Sequence, residues 1–284
     1  MNGALLVDKP AGVTSHDVVA IVRRALGTKS VGHTGTLDPF ATGRLVVLVG
    51  KATRLARVLD GFEKSYRAVV RLGQGSDTDD ATGTLTEAEG VTRPSEEAVR
   101  AALAGFVGTQ MQMPPAYSAK KIDGERAYTR ARKGEEVVLK AVEVTIHSAA
   151  LLRYWWPDAE IQVRVSTGTY VRSLARDLGQ KLGMPAHCHE LRRERIGPFD
   201  LADAEALEAL QALSGPPKLI PMAQVVSHLP TQELDEGEVA FIKNGRKVAT
   251  ELVAGPIALL HQGELMAIAE VVEGMAQPTV VLVD

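Results

Sequence analysis

The chain has 284 residues, of which 45% are hydrophobic and 24% charged, and this is ordinary for a soluble globular protein. Its single cysteine, Cys188, excludes an intrachain disulfide and fits a reducing compartment. The N-terminus lacks the form of a signal peptide, and no apolar stretch is long enough to span a bilayer. We therefore expect a cytoplasmic protein with no membrane partner.

The net charge of -3 is unevenly distributed. Residues 1–198 carry 28 Lys and Arg against 22 Asp and Glu, a balance of +6, whereas residues 199–284 carry 4 against 13, a balance of -9. A basic body is compatible with a polyanionic partner. On charge alone, unequal surface composition is the simpler explanation.

The first elements follow clear start and stop signals. A short apolar strand is predicted at 3–8, and Thr14 or Ser15 can cap a helix that ends before Gly27. A glycine-rich polar loop follows, and then an apolar strand at 45–49. Further along the chain, the hydrophobic pattern predicts strands at 65–72 and 160–166. It predicts helices at 94–106, at 125–133 and from Gly168 onward. Strands and helices thus follow one another in a mixed order.

This order indicates an α+β fold with a mixed, mostly antiparallel sheet and flanking helices, not a doubly wound parallel sheet. The Gly215-Pro216-Pro217 segment interrupts the chain after a short helix. Short apolar runs at 257–260, 267–270 and 279–283 then predict strands of a small β domain. We accordingly divide the chain into residues 1–225 and 226–284.

Asp38 is the first candidate for chemistry, because it lies in a loop between a helix and an apolar strand. Pro39 restricts its backbone, and Gly32, Gly35 and Gly43 let the loop turn tightly and a ligand approach. A carboxylate presented in this way can act as a nucleophile. From the spacing alone, however, an Asx-turn or a helix cap is the more common reason for such an aspartate.

Six sequence blocks, taken together and in this order, resemble the bacterial tRNA pseudouridine-55 synthase family, TruB. They are DKPAGVTSHDVV, GHTGTLDPFATGRLVVLVGKATR, KSYRAVVRLGQGSDTDDATG, PPAYSAKKIDGERAY, STGTYVRSLARDLG and AHCHELRRERIGPF. The resemblance covers residues 4 to 200. It implies the pseudouridine synthase fold, a thumb-like RNA-binding insertion near 118–140 in the catalytic domain, and a PUA-like β domain at 226–284.

The resemblance also implies site residues and partners. Its catalytic aspartate, tyrosine and arginine match Asp38, Tyr66 and Arg172, and its substrate-binding residues match His33, Lys9, Tyr170 and Leu191. The resemblance implies that His33 stacks into the RNA, that Lys9 supports the active site, and that Tyr170 and Leu191 line the uracil pocket. The implied substrate is the T-stem-loop of tRNA, with no DNA, no cofactor, no metal and no obligate protein partner.

The chemistry of the reaction agrees with these residue types. Isomerising uridine breaks the glycosidic N–C bond, turns the base and forms a C–C bond, so it needs a carboxylate near the ribose and C6 and a group near the C5 proton. An arginine beside Asp38 is expected to lower its pKa and aim it by a two-point contact. Without the resemblance, Tyr66 would be a core residue, Arg172 part of a solvated helix face and His33 a polar loop residue.

Other patterns carry less. Three basic clusters suit phosphate contacts, although each alone is more typical of a solvated surface; they are 120–133, Arg192-Arg193 with Arg195, and Lys64 with Arg67 and Arg71. The segment 77–83 lacks the spacing of a calcium loop, and His187-Cys188-His189 lacks a second ligand pair, so both are interpreted as structural. Two alternatives stay open: a non-catalytic tRNA-folding chaperone and a guide-RNA-dependent synthase.

Overall fold

The computed structural model describes residues 1–116, 139–200, 204–211 and 217–283, together with the backbone of 121–122 and 125–126. The helices are α1 Ser15–Leu26, α2 Ala56–Leu59, α3 Glu96–Ala104, α4 Val171–Lys181, α5 Leu207–Gln211, α6 Met222–Val225 and α7 Glu236–Lys243, and Gly50–Leu55 is a 3-10 helix. The strands of the first 165 residues are β1 Gly3–Lys9, β2 Val31–Thr34, β3 Thr42–Val49, β4 Lys64–Leu72, β5 Gln74–Ser76, β6 Leu85–Glu87, β7 Gly108–Gln112, β8 Lys121–Ile122, β9 Glu125–Arg126, β10 Val142–Trp155 and β11 Asp158–Val165. The later strands are β12 Ala186–Ile196, β13 Phe199–Asp200, β14 Glu205–Ala206, β15 Thr231–Glu233, β16 Val248–Ala249, β17 Ile257–His261, β18 Glu264–Val272 and β19 Met275–Val281.

The larger sheet is mixed and mostly antiparallel, which confirms the predicted fold class. Its strand order is β14-β1-β3-β12-β4-β11-β10-β7, with β2 beside β3 and β13 beside β12. Only the β1–β14 and β3–β12 pairs are parallel among the described strands of this sheet. Strands β4 and β12 therefore lie at its centre.

Local sequence accounts for the elements on either side of the candidate loop. Thr14 and Asp17 form a capping box at the start of α1, and Gly27 ends the helix in the left-handed conformation at φ 61°. In β4 the side chains of Tyr66, Ala68 and alternate residues beyond them are buried. These outcomes confirm the predicted helix and the predicted alternation.

Several predicted boundaries were wrong. Glu125–Arg126 is a strand, not the start of a basic helix, while residues 127–133 lie outside the described residues. The loop predicted at 32–43 gives its first and last residues to β2 and β3, and the last strand is Met275–Val281, not 279–283. Strands β10 and β12 were missed, because two register shifts in each interrupt the alternation of their side chains.

The C-terminal strands form a separate five-stranded sheet in the order β15-β17-β18-β19-β16, in agreement with a small β domain. This sheet packs against the larger one. One apolar cluster joins Leu6 and Val46 of the larger sheet to Leu265 and Ile268 of the smaller one, and to Leu282, which follows β19. No helix in the described ranges is long and apolar enough to cross a membrane.

Candidate active site

A cavity of about 350 Å³ opens beside β4, β12 and the start of α4. This volume lies near the lower end of the ~300–1,000 Å³ range of small-molecule pockets. The cavity is lined by Gly35, Thr36, Leu37, Asp38, Lys64, Tyr66, Thr167, Gly168, Thr169, Tyr170, Val171, Arg172, Leu191 and Arg193. Five of the seven site residues predicted from sequence thus line one cavity: Asp38, Tyr66, Arg172, Tyr170 and Leu191.

The loop that carries Asp38 is tied to the start of α1. The Ser15 hydroxyl donates to the Leu37 carbonyl at 3.1 Å and accepts from the Leu37 N–H at 2.9 Å. The Gly12 N–H donates to the Pro39 carbonyl at 2.9 Å. Bonds on both sides of Asp38 therefore fix the backbone from which its carboxylate projects.

Arg172 contacts Asp38 by two nitrogens. Its Nε lies 2.9 Å from one carboxylate oxygen of Asp38, and its Nη2 donates to the other at 3.3 Å. The Arg172 side chain is only 5% exposed, while that of Asp38 is 35% exposed. The Asp38 carboxylate is thus held by the buried guanidinium of Arg172 and remains accessible from the cavity.

A second carboxylate holds the same guanidinium. Nη1 of Arg172 donates to Asp80 at 3.0 Å and to the Thr78 carbonyl at 3.0 Å. Asp80 itself accepts from the Thr78 hydroxyl at 2.8 Å and from the Thr82 N–H at 2.9 Å. Asp80 was not predicted as part of the site, although it belongs to a block on which the resemblance rests; the segment 77–83 had been interpreted as structural only.

One turn later on α4, Arg176 contacts a different pair of carboxylates. It reaches Asp79 at 2.8 Å and Asp177 at 2.8 Å. The Asp177 contact is the one expected for a surface residue of this helix. Since Arg176 does not line the cavity, its pair with Asp79 anchors α4 to the 77–83 segment without touching the cavity, while its pair with Asp177 stays within α4.

The surroundings shift the pKa of three groups at the site. Burial raises the pKa of Asp38 above its usual value, and the charge of Arg172 opposes that rise. Arg172 thus lowers the pKa of Asp38 as expected, but desolvation outweighs that contribution and the net shift is upward. Burial also lowers the pKa of Lys9 to about 8 and that of Lys64 to about 8.

The other two predicted site residues, Lys9 and His33, are not among the described residues that line the cavity. Lys9 is fully buried, and its ammonium donates to the carbonyls of Pro10, Val13 and Pro39 at 2.9, 2.8 and 3.3 Å. Through the Pro39 carbonyl, Lys9 therefore holds the loop that carries Asp38. His33 lies in β2 opposite Val47.

Two charged residues that line the cavity, Arg193 and Lys64, were not predicted as site residues. Arg193 is fully buried and donates to the carbonyls of Gly35, Thr36 and Arg44, at 3.2, 3.3 and 2.8 Å, so it fixes the loop on which Asp38 lies. Lys64 donates to the Thr167 hydroxyl at 3.2 Å across the cavity mouth. Both residues were noticed in the sequence, but as members of basic clusters that suit phosphate contacts and not as residues of the cavity.

The described basic clusters have internal partners, unlike free phosphate-binding surfaces. Arg192 pairs with Asp8 at 2.6 Å, Arg67 pairs with Glu160 at 2.5 Å, and Arg71 pairs with Asp158 at 2.6 Å. The 120–133 cluster lies outside the residues with described side chains. No group of three His, Cys, Asp or Glu within the described part could hold a metal ion.

Known proteins match the whole chain. Residues 23–171 match "TruB family pseudouridylate synthase (N terminal domain)", and residues 172–216 match "tRNA pseudouridylate synthase B C-terminal domain". The chain is 45% identical to "tRNA pseudouridine synthase B" of Thermobifida fusca (strain YX), covering 99% of this chain and 98% of that protein. It is 41% identical to the protein of the same name from Arthrobacter sp. (strain FB24), covering 99% and 96%.

Among solved structures, the chain is similar to "Crystal Structure of a Cbf5-Nop10-Gar1 Complex" at 26% identity and a TM-score of 0.77, covering 99% of this chain and 85% of that one. The sequence matches and the fold point to the same group of enzymes. The chain belongs to the TruB family of pseudouridylate synthases.

Proposed function

We propose that this chain is a tRNA pseudouridine synthase that isomerises uridine 55 in the T-loop of tRNA. The observation that carries the proposal is the accessible Asp38 carboxylate, held at two points by Arg172 in a cavity of about 350 Å³. Two relatives that match nearly the whole chain carry the name tRNA pseudouridine synthase B, which supports tRNA as the substrate.

In this proposal Asp38 supplies the nucleophile. The glycosidic bond between N1 and C1′ breaks, the base turns, and a bond forms between C5 and C1′ while the C5 proton leaves and N1 gains a proton. Attack at C1′ and addition at C6 both use the same carboxylate. No atom is added to or removed from the substrate overall, so the reaction needs no group donor and no redox cofactor.

The other cavity residues hold the base and the nucleophile. Arg172 keeps the Asp38 carboxylate charged and aimed. Tyr66 offers a flat face to the uracil and a hydroxyl near C5, and Tyr170 and Leu191 form the walls. Lys9 joins the Asp38 loop, through the Pro39 carbonyl, to the turn after β1, through the carbonyls of Pro10 and Val13.

The target uridine must leave its stack before the carboxylate can reach it. Extruding a base costs a few kcal/mol, which stacking and cavity contacts offset. His33, on β2, fills the gap left in the RNA. Residues 1–225 form the catalytic domain with a thumb-like insertion near 118–140 that grips the T-arm, and residues 226–284 form the PUA-like domain.

The proposal is tested by incubating the purified protein alone with unmodified tRNA, in EDTA, and mapping pseudouridine. A minimal T-arm hairpin serves as a second substrate, because a chelator can unfold whole tRNA. Pseudouridine at position 55 of the tRNA and at the matching hairpin uridine is the expected result. No product from either substrate, with the RNA bound, would favour a chaperone.

The guide-RNA-dependent alternative has one structural observation in its favour, since the matched complex of Cbf5 contains Nop10 and Gar1. The closer relatives, which are more than 40% identical to the chain, favour the tRNA enzyme. Product that forms only after a guide RNA and accessory proteins are added would support the alternative.

A further inference from the structure

Gln112, the last residue of β7, lies outside the cavity but contacts the backbone of a residue that lines it. Its side-chain carbonyl accepts the Tyr170 N–H at 2.8 Å, and its side-chain amide donates to the Tyr170 carbonyl at 3.0 Å. Gln112 is 3% exposed. The buried Gln112 side chain thus uses both its amide oxygen and its amide nitrogen to bind Tyr170, which is 58 positions away in the chain.

Tyr170 is a place where the chain needs such support. It is the N-cap of α4, with extended backbone at φ -100° and ψ 111°, and its side chain makes no capping hydrogen bond. Its carbonyl already accepts the first helical bond, from the Leu174 N–H at 3.1 Å. The Gln112 amide therefore fixes the residue at which extended chain becomes helix.

The position of that junction sets the position of the active-site arginine. Arg172 lies two residues after Tyr170, in the first turn of α4. A displaced helix start would move the Tyr170 ring and the Arg172 guanidinium together, whereas the 2.9 Å contact with Asp38 leaves little tolerance. A misplacement of ~1 Å in an active site can cost roughly 100-fold in rate.

The next residue after Gln112 ties down the same turn of helix. The Met113 carbonyl accepts from the Ser173 hydroxyl at 2.8 Å and from Arg176 at 3.0 Å. Both contacts use the backbone carbonyl of residue 113 and hold the first two turns of the helix. The Gln112 side chain, by contrast, bonds both the N–H and the carbonyl of the Tyr170 backbone.

We propose that Gln112 is a positioning residue for the isomerisation, which aligns Tyr170 and Arg172 by fixing the start of α4. This inference rests on the proposed function, because it concerns the rate of that reaction. Gln112 touches neither Asp38 nor the cavity, so its contribution is to the chemical step and not to RNA affinity.

The test compares Gln112→Met and Gln112→Glu with a matched control, Gln110→Met. Methionine keeps the length of the side chain and removes both hydrogen bonds, while glutamate keeps the acceptor for the Tyr170 N–H and sets a carboxylate oxygen against the Tyr170 carbonyl. Gln110 lies on the same strand and donates to the Phe106 carbonyl at 3.2 Å, away from α4. Single-turnover rates at saturating T-arm RNA, dissociation constants and thermal unfolding are measured for each.

We expect Gln112→Met to slow the single-turnover step roughly 10- to 100-fold and to change RNA affinity less than ~3-fold. Gln110→Met should match the wild type in both. If Gln112→Met does not fold, Gln112→Glu carries the test, because it keeps one of the two bonds. A wild-type rate in either folded variant, or equal losses of rate and affinity, would overturn the inference, whereas an inactive wild type would overturn the proposed function instead.

Discussion

The guanidinium of Arg172 contacts both oxygens of the Asp38 carboxylate, at 2.9 Å through Nε and at 3.3 Å through Nη2. The remaining nitrogen, Nη1, is occupied by Asp80 at 3.0 Å. Arg172 therefore bridges an accessible carboxylate and a buried one. The buried contact fixes the arginine, so that the arginine can fix the nucleophile.

We predict that Arg172→Lys binds T-arm RNA like the wild type but is severely slowed in single-turnover assays. An ammonium cannot reproduce the planar two-point contact with a carboxylate. If Arg172 instead contacted phosphate, the substitution would weaken binding and flatten its salt dependence by about one unit of slope.

Arg176→Lys is the matched control for this prediction. It removes an arginine one turn away on the same helix that also pairs with aspartates, Asp79 and Asp177. The control should retain most of the single-turnover rate. An equal loss in both variants would mean that helix anchoring, not alignment of Asp38, limits the chemistry.

Asp80→Ala should both destabilise and slow the enzyme. Arg172 and Asp80 are each only 5% exposed in their side chains, and removing one partner of a buried pair costs ~3–5 kcal/mol. Glu96→Ala, which breaks the exposed pair with Arg100, should cost less than ~1 kcal/mol. Urea unfolding measures both free energies; a cost for Asp80→Ala as small as that for Glu96→Ala would contradict the buried network.

The single-turnover rate should fall on acidification, starting at a pH above the ordinary aspartate value of 3.8. The reaction needs ionised Asp38, and burial raises the pKa of that carboxyl. Because the folded-state pKa lies above the unfolded one, protonating Asp38 favours the folded state, so this loss is not unfolding caused by Asp38. Circular dichroism at each pH provides the control; a rate that holds down to pH 3.8 in folded protein would refute the shift.

The C-terminal sheet should matter for stability more than for chemistry. Leu265 is 3% exposed and packs in the apolar cluster shared with Leu6 and Val46, so Leu265→Ala should cost ~2–5 kcal/mol of unfolding free energy. Its single-turnover rate on the T-arm hairpin, measured well below the melting temperature, should equal that of the wild type. A slower chemical step in the folded variant would place this sheet in the catalytic machinery.

The sequence predicted the elements whose signals are local. The cap of α1, predicted at Thr14 or Ser15 and found at Thr14, and the alternation in β4 each depend on fewer than a dozen residues. Strand β12 was missed, because two register shifts interrupt its side-chain alternation. A bulge is set by pairing with a neighbouring strand, which the strand's own sequence does not reveal.

The site shows the same division. The resemblance predicted Asp38 and Arg172 as site residues, and they lie in contact in one cavity. Asp80, the other partner of Arg172, is 92 positions away and emerged only from the fold. Arg193 was misassigned for a related reason. A run of arginines has the composition of a phosphate-binding surface, and only the packing of β12 shows that Arg193 is fully buried against loop carbonyls.

Asp38→Asn tests whether the Asp38 carboxylate performs the isomerisation. The amide keeps the shape of the side chain and removes its charge, while RNA affinity comes mainly from phosphate and stacking contacts. Purified Asp38→Asn and Asp38→Ala are incubated with T-arm RNA beside the wild type, and pseudouridine and RNA binding are both measured. We predict no pseudouridine and near-normal binding; measurable turnover by Asp38→Ala above a no-enzyme control would mean that this carboxylate is not the nucleophile.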